Sequence, residues 1–466
     1  MVTLLYNAYV VTGERCSGGA VLINGDRIGG VYFTGDMTEP GTQEERQARE
    51  QVEEWKGKAD ECIDLSGKMI MAGGIDAHVH FREPGMTHKA DMESESRAAL
   101  LGGVTSFIDM PNTVPATTSM ELLEDKARLA EGRAYANYGF NLGATNSNLS
   151  ELQDAAANGK WKFGGIKVFM GSSTGNMLVD SDDTLNGIFN IHGKPVLVHC
   201  EDEATIKENL GKATAKYGDD IPFSMHPEIR SRQACIRSSA KALELAIRHH
   251  TALHLLHVST AEEMKMAAAS KIHNPEITAE TSANYLWFSD KDYDRLGSRV
   301  KCNPAIKSTT DREALRKALT DGKIAVIGTD HAPHLPADKQ GGCCRAASGM
   351  PMVQFSLVAM LELVSKGVLT IERVAELMCH RPAMLFDVFQ RGFIRKGYKA
   401  DLTIVRPDSP WTVTEGCIQS KCGWSPMQGH TFDWCVEHTF CNGKHIYDNG
   451  RFDASCRGEE VVFRQE

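Results

Sequence analysis

The sequence has few of the features that mark membrane, secreted or nucleic-acid-binding proteins. No apolar run approaches the roughly 18 residues that cross a bilayer, and residues 1–6 lack the basic and apolar regions of a secretion signal. Acidic residues outnumber basic ones, 61 to 51, which gives a net charge of −10 and no basic surplus for anionic partners. The 13 cysteines are odd in number and irregularly spaced, so they predict no disulfide framework. These absences predict a cytoplasmic protein that binds neither nucleic acid nor membrane.

The chain is long enough for a large enzyme domain and a second, smaller one. It has 466 residues, of which 42% are hydrophobic, whereas a barrel of alternating strands and helices needs about 300. Strand-like runs occur near both ends of the chain, at 4–11, 20–24, 27–33, 400–405 and 440–447. The charged segment 36–60 predicts a surface helix or an insertion. We therefore predict a small β-sandwich domain built from both termini, residues 1–68 and 388–466.

The middle of the chain, residues 69–387, predicts a closed (β/α)8 TIM-type barrel, and thus an α/β fold class. Eight apolar runs alternate with helix-like segments such as 92–101, 231–249 and 311–319. Strands that are buried on both faces are nearly continuously apolar, as most of these runs are. The runs are 69–80, 104–110, 136–142, 165–170, 195–199, 252–258, 276–281 and 324–329.

Ionisable side chains stand at the carboxyl ends of several runs, where parallel barrels collect their functional groups. His78 and His80 are two residues apart on one strand, so both point to the same side and can share a metal ion. An isolated pair of this kind is more often two unrelated polar residues. Here the ends of other runs supply further candidates: Lys167, His199, His257 and Asp330. Such nitrogen and oxygen ligands suit one or two divalent cations such as Zn²⁺.

Lys167 has two interpretations. A lysine that points into a barrel mouth loses hydration, so its charge must be paired or lost. Either it forms an ion pair with a nearby carboxylate, or its neutral amine takes up carbon dioxide. The second reaction gives a carbamate, a carboxylate that can bridge two metal ions. The chemistry of the residue alone leaves both open.

Six motifs resemble those of the dihydroorotases and their relatives among the cyclic amidohydrolases. They are DAHVHFREPG at 76–85, DMPNT at 109–113, GIK at 165–167, HCED at 199–202, HVST at 257–260 and TDHAPH at 329–334. Each motif alone is moderately specific, but here all six occur in the family order. The resemblance covers roughly residues 60–450.

The resemblance implies a metal-dependent hydrolase that acts on C–N bonds in cyclic amides. It divides the ligands between two metal ions: His78, His80 and Asp330 at one, and His199 and His257 at the other. Carboxylated Lys167 and a hydroxide would bridge the ions, which are expected to be Zn²⁺. Asp330 is also expected to be the catalytic residue that moves the proton. Some relatives lack the bridging lysine and keep one ion, so the number of ions stays open.

Four further residues correspond to substrate contacts in the dihydroorotases: Arg82, Asn112, Asn303 and His334. Dihydroorotate carries a carboxylate, which a bidentate guanidinium and amide donors recognise. Arg82 lies two residues beyond His80 and faces the same barrel mouth, and allantoinases typically have Asn at this position. Each residue also has a simpler interpretation. Arg82 can form a surface salt bridge with Glu83 or a neighbour, the two asparagines can cap turns, and His334 can cap a loop.

The resemblance thus implies reversible hydrolysis of dihydroorotate to N-carbamoyl-aspartate, a reaction of pyrimidine biosynthesis. Two alternatives stay open: an allantoinase or hydantoinase that opens another cyclic amide, and a non-catalytic homologue that serves as an assembly partner. Relatives often form dimers or tetramers, so a homo-oligomer is expected. Two segments depart from the family pattern, TSANYL at 281–286 and GGCCRAASGMPM at 341–352. These departures leave the shape of the substrate pocket open.

Overall fold

Eight parallel strands form a closed barrel in the computed structural model, which describes residues 1–157, 162–171 and 177–464. Within these residues the barrel strands are Gly74–Val79, Val104–Asp109, Asn137–Phe140 continued by Leu142–Gly143, Ile166–Phe169, Val196–His199, Leu253–Leu255, Thr278–Ser282 and Val326–Gly328. A parallel bridge between Val79 and His331 joins the end of the last strand to the first and closes the ring. This topology confirms the predicted (β/α)8 barrel.

Helices connect successive barrel strands and bury one apolar face each. Met120–Ala130 is typical: the Ser119 side chain accepts from the backbone of Leu122 and caps the first turn, and Leu123 and Ala130 are buried seven residues apart. The longer helices are Met92–Leu101, Met120–Ala130, Leu149–Ala157, Asp182–Phe189, Glu203–Tyr217, Arg232–His249, Ala261–Ser270, Thr309–Thr320 and Ser356–Ser365. Shorter helical segments are Phe223–Met225, His226–Ile229, Ala283–Trp287, Asp292–Leu296, Gly297–Val300, Pro336–Lys339, Gly342–Arg345, Ile371–Ala375, Glu376–His380, Arg381–Leu385 and Glu415–Cys417.

A second sheet is built from both ends of the chain and has nine strands among the described residues. Its order is Arg451–Phe452, Lys444–Asp448, Cys435–Cys441, Leu402–Arg406, Met69–Ala72, Val2–Val11, Cys16–Asn24 and Arg27–Phe33, and Glu61–Asp64 pairs with Val2–Val11 as well. Trp411–Thr412 and Thr431–Phe432 form a separate short pair. Asn442 and Gly443 both have positive φ angles, 51° and 73°, as a tight hairpin turn requires. The predicted β domain of shared termini is thus confirmed.

Two predicted strands differ in the structure. The run 69–80 is divided at Gly73, so that Met69–Ala72 joins the terminal sheet and Gly74–Val79 enters the barrel. A Cβ atom at Gly73 would lie 2.1 Å from Oγ1 of Thr105. Only glycine therefore fits at the point where the chain passes from the terminal sheet into the barrel. The run 440–447 is divided by the hairpin turn. The domain limits at residues 68 and 387 stay a prediction.

The charged segment 36–60 contains the helix Gln43–Lys56, which agrees with the predicted surface helix. Thr42 and Glu45 form a capping box at its start. Only Ala48 and Val52 of this helix are buried, because most of its side chains face solvent. None of the helices in the described ranges combines the length and the hydropathy that crossing a bilayer demands.

Candidate active site

The six candidate metal ligands converge on one cavity at the carboxyl end of the barrel. They line its wall together with Arg82, Asn112 and Asn303: His78, His80, Lys167, His199, His257 and Asp330. The barrel strands bring them there because each ligand lies at, or within two residues of, the carboxyl end of its strand. Arg82, His257 and Asp330 have positive φ angles of 66°, 40° and 48°, an unfavourable backbone for residues with side chains that is often found at functional sites.

His78, His80 and Asp330 form the first group of possible ligands. One ligand atom from each lies within 4.8 Å of the others. The His80 Nδ1–H donates to Oδ1 of Asn112 at 2.7 Å, so the Nε2 lone pair of a neutral His80 faces Oδ1 of Asp330 at 3.1 Å. Two acceptors at this distance repel each other unless a cation lies between them. This arrangement fits a metal ion.

The protonation states also fit metal binding. Two effects act on the pKa of His80: burial lowers it and the nearby Asp330 raises it. Burial has the larger effect, and the pKa falls to about 4. Burial acts to raise the pKa of Asp330, but its interactions with neighbouring histidines, of which that with His78 is the largest, outweigh burial and hold this pKa below its usual range. At neutral pH the site therefore presents a neutral imidazole and an ionised carboxylate, the forms that coordinate metals.

His199 and His257 form the second group. Nδ1 of His199 lies 2.8 Å from Nε2 of His257, and Nε2–H of His199 donates to Oε2 of Glu201 at 3.1 Å. Within the described residues, the buried Nδ1 of His257 has no hydrogen-bond partner. Burial lowers the pKa of both histidines, so both are neutral near pH 7. Two facing neutral imidazoles offer nitrogen donors to a second cation.

Lys167 lines the same cavity and is 1% exposed. No carboxylate oxygen of the described residues lies within 4.0 Å of its Nζ atom, and the centre of the Phe169 ring is 4.6 Å away. Within the described part of the chain, the ion pair that the sequence left open is therefore not formed. Burial lowers the pKa of Lys167 to about 8, which increases the fraction of neutral amine at physiological pH.

Three acidic residues that the sequence did not single out support the ligands. Glu280 accepts a hydrogen bond from Nδ1 of His78 at 2.6 Å, and Glu201 accepts one from His199. Asp76 accepts from the hydroxyl of Thr329, beside Asp330. The sequence carried weak signals for two of them, since Asp76 and Glu201 lie inside the ligand motifs, two residues from a histidine. Glu280 gave no such signal because its contact is 202 residues away.

Arg82 is 2% exposed and extends into the cavity wall. Its Nε donates to the carbonyl of Pro333 at 3.1 Å, and Nη2 donates to Nε2 of His334 at 3.1 Å. The alternative pair with Glu83 is not formed, because Glu83 accepts from Arg133 at 2.7 Å. Among the described residues, no carboxylate lies within 4.0 Å of the Arg82 guanidinium. Burial lowers the pKa of Arg82 to about 10, which leaves it a cation at neutral pH.

The other predicted substrate contacts differ in their placement. Asn112 and Asn303 line the cavity, and the buried Oδ1 of Asn303 has no hydrogen-bond partner in the described part of the chain. His334 does not line this cavity; it lies behind Arg82 and faces a neighbouring cleft. The structure therefore brings together nine of the ten predicted site residues, with His334 in contact with one of them.

The two segments that depart from the family pattern both lie beside the site. Asn284 donates to the carbonyl of Thr329 at 3.2 Å, and the Tyr285 hydroxyl donates to the carbonyl of Pro304 at 2.7 Å. In the segment 341–352, Ser348 and Gly349 form part of the cavity wall. These segments therefore shape the pocket through backbone contacts.

Known proteins with similar sequences or structures include a dihydroorotase, an allantoinase and a hydantoinase. Residues 69–446 match the amidohydrolase family. A dihydroorotase of Methanosarcina acetivorans is 33% identical over 413 residues, which cover 86% of each chain. An allantoinase of Deinococcus radiodurans is 32% identical over 422 residues, which cover 88% of this chain and 92% of the relative. The solved L-hydantoinase (dihydropyrimidinase) from Arthrobacter aurescens has a TM-score of 0.89 and 25% identity over 99% of both chains.

The family match covers most of the chain, and the barrel and ligand geometry are consistent with it. The predicted resemblance is confirmed, as is the prediction of a metal-dependent hydrolase. The chain belongs to the amidohydrolase family.

Proposed function

We propose that this hydrolase catalyses the reversible opening of dihydroorotate to N-carbamoyl-aspartate, in pyrimidine biosynthesis. The observation that carries the proposal is Arg82, a buried cation in the cavity wall without a carboxylate partner among the described residues. A buried unpaired charge is costly, so the site favours an anionic group on the substrate. Dihydroorotate supplies a carboxylate, whereas allantoin and simple hydantoins do not.

Asn303 adds to this argument. Its Oδ1 atom is buried and has no donor among the described residues, which suits a substrate N–H group. Together, Arg82 and Asn303 offer one cation and one acceptor to the same small ring. Asn112 lies beside them, with its Oδ1 atom engaged by His80.

As the cofactor we propose two divalent metal ions, Zn²⁺ in the native protein, which the two ligand groups and a carboxylated Lys167 would hold. The neutral Lys167 amine would add to carbon dioxide, forming an N–C bond and releasing one proton. Divalent ions held by these ligands would supply an acidified water molecule and would polarise the substrate carbonyl.

Residues of the chain position the substrate and transfer the proton in this mechanism. Arg82 holds the substrate carboxylate, which positions the ring carbonyl beside the ligand groups. Asp330 takes a proton from the attacking water and gives it to the leaving ring nitrogen. The water oxygen adds to the carbonyl carbon and forms the new C–O bond. The C–N bond then breaks as the ring nitrogen takes up the proton, so that one water is added overall. Asp330 is ionised in the folded protein and can therefore accept this proton.

An allantoinase remains the second candidate function. The Deinococcus radiodurans allantoinase is nearly as similar to this chain as the Methanosarcina dihydroorotase, 32% against 33% identity. A purely non-catalytic role is disfavoured because all six ligand positions are present and converge on one cavity. We also propose that the protein is a cytoplasmic homo-oligomer, a dimer or a tetramer.

Parallel assays of the purified metal-loaded protein would decide between the substrates. We expect turnover of dihydroorotate, and of N-carbamoyl-aspartate in the reverse direction, with little turnover of allantoin or hydantoin. Elemental analysis should find two metal ions per chain. Preferential turnover of allantoin would overturn the proposed substrate, and a metal-free native protein would overturn the mechanism.

A further inference from the structure

A second cleft, of about 500 Å³, adjoins the catalytic cavity. Asn303 and Ser348 line both spaces. His334 lies between them: its Nε2 is 3.1 Å from Arg82 on the cavity side, and its Nδ1 is 3.2 Å from Lys89 in the cleft. The two spaces are therefore neighbours that share a wall.

The cleft is basic, although the whole chain carries a net charge of −10. Its lining includes Lys89, Arg230, Lys301 and Arg345, and no Asp or Glu among the described residues. Two of the four cations have carboxylate partners behind the lining, Lys89 with Asp338 at 3.2 Å and Arg230 with Glu201. Lys301 and Arg345 have none within 4.0 Å in the described chain.

The wall between the cleft and the cavity carries further positive charge. Lys339 is buried, and its ammonium group donates to the carbonyls of Ala347 and Gly349 at 2.6 and 2.8 Å. Lys301 donates to the carbonyl of Ala346 in the same loop. Backbone carbonyls satisfy these hydrogen bonds but do not neutralise the charges. Burial lowers the pKa of Lys339 to about 7, so Lys339 is only partly protonated at neutral pH. The positive potential offered to an approaching anion therefore comes mainly from the four cations that line the cleft and from Arg82.

We propose that this basic cleft binds the carboxylate-bearing substrate and concentrates it next to the catalytic cavity. The inference rests on the proposed function. A concave surface with charge of one sign raises the local concentration of the opposite ion and its rate of association, and salt screens this effect. The cleft attracts the anions dihydroorotate and N-carbamoyl-aspartate, whereas it does not raise the local concentration of a neutral cyclic amide. It thereby adds selectivity before the substrate reaches Arg82.

Substitutions at position 344 can add a positive or a negative charge to the cleft and leave the catalytic residues unchanged. Cys344 is exposed and lines the cleft. Cys344→Lys adds a positive charge and Cys344→Glu a negative one, each on the short helix Gly342–Arg345. Arg345→Glu reverses the charge of an exposed neighbour. Arg128→Glu, on the helix Met120–Ala130 and remote in sequence from the cleft, is the control for a similar change of net charge.

We expect kcat/KM for dihydroorotate at low ionic strength to rise about threefold in Cys344→Lys and to fall about three- to tenfold in Cys344→Glu and Arg345→Glu. The kcat value should stay near that of the parent, and the differences should shrink at about 0.5 M salt. Arg128→Glu should leave kcat/KM within about twofold. Equal kcat/KM values for Cys344→Lys and Cys344→Glu, with both proteins folded, would overturn the inference.

The identity of the substrate can be tested separately from the binding of anions in the cleft. If the protein hydrolyses allantoin and not dihydroorotate, the proposed function fails, and N-carbamoyl-aspartate then serves as an inhibitor of allantoin turnover. Weaker inhibition in Cys344→Glu than in Cys344→Lys would still support an anion-binding cleft. Equal inhibition constants in the two variants would overturn it.

Discussion

Oε1 of Glu280 lies 2.6 Å from Nδ1 of His78 and accepts its proton in a hydrogen bond. The same oxygen accepts from the backbone nitrogen of His257 at 3.2 Å. Burial acts to raise the pKa of Glu280, but His78 and His254 outweigh burial and hold it below its usual range. One ionised carboxylate on the seventh barrel strand therefore orients ligands of both proposed metal ions.

Removing this carboxylate should weaken metal binding. We expect Glu280→Ala to lower metal affinity about 10- to 100-fold, because His78 would lose the partner that fixes its ring. Glu280→Gln keeps an acceptor oxygen and should lose less. Metal retained during chelator titration is the measurement, and the exposed Glu244→Gln is the control. Unchanged retention in Glu280→Ala would show that Glu280 does not position the ligand.

Asp330 is expected to carry the proton in the reaction. Asp330→Asn should lower kcat by about 10²- to 10⁴-fold, since the amide cannot accept the proton of the attacking water. Far-UV circular dichroism should show an intact fold. Asp321→Asn, which removes an exposed carboxylate on the same stretch of chain, should leave kcat unchanged. Near-parental turnover in Asp330→Asn would disprove the proton-transfer role.

Arg82 is expected to determine affinity for the substrate carboxylate. Arg82→Lys keeps the charge but loses the bidentate geometry, so KM for dihydroorotate should rise about 10- to 100-fold. The change in kcat should be smaller, because the lysine still holds the carboxylate near the ligands. Steady-state kinetics of Arg82→Lys and of the control Arg128→Lys provide the comparison. A loss confined to kcat would contradict a role in substrate binding.

Lys167 is expected to be needed for function but not for stability of the metal-free protein. Its ammonium group is buried without a carboxylate partner among the described residues, so Lys167→Met removes an unfavourable buried charge. The metal-free variant should unfold at the same temperature as the metal-free parent or higher. The metal-loaded variant should hold fewer ions and lose activity. A clear fall in the unfolding temperature would indicate a structural role for the amine.

The buried His226 should make stability depend on pH. Burial, together with Lys301 and Arg230, lowers the pKa of His226 to about 3, against an ordinary value of 6.5. The unfolded chain therefore binds a proton at this residue between about pH 6 and pH 4, and the folded protein does not. The free energy of unfolding should fall as pH drops through this window, by up to about 1.4 kcal/mol per pH unit from this residue.

The variant His226→Gln isolates that contribution. Its free energy of unfolding, measured by denaturant titration between pH 4 and 7, should depend less steeply on pH than that of the parent. His273→Gln, at an exposed position, should keep the parental slope. Identical slopes for His226→Gln and the parent would mean that His226 titrates normally in the folded protein.

The sequence by itself determined the barrel and most of the catalytic cavity. Strand periodicity is local, so the spacing of His78 and His80 already placed both side chains on one side of a strand. The carboxyl ends of parallel strands meet at one face, so ligands from distant segments were predicted to converge once the strands were recognised. The motif order then linked Lys167 and Asp330 to the same site.

Only the tertiary structure decided which neighbours those residues have. The pairing of Glu280 with His78, the absence of a carboxylate partner for Arg82 in the described chain, and the position of His334 behind Arg82 depend on how the barrel closes. The division at Gly73 depends on the packing of Thr105 against the backbone. Local sequence specifies the direction of a side chain, but these contacts join residues far apart in the chain, and their distances are set only when the whole ring has packed.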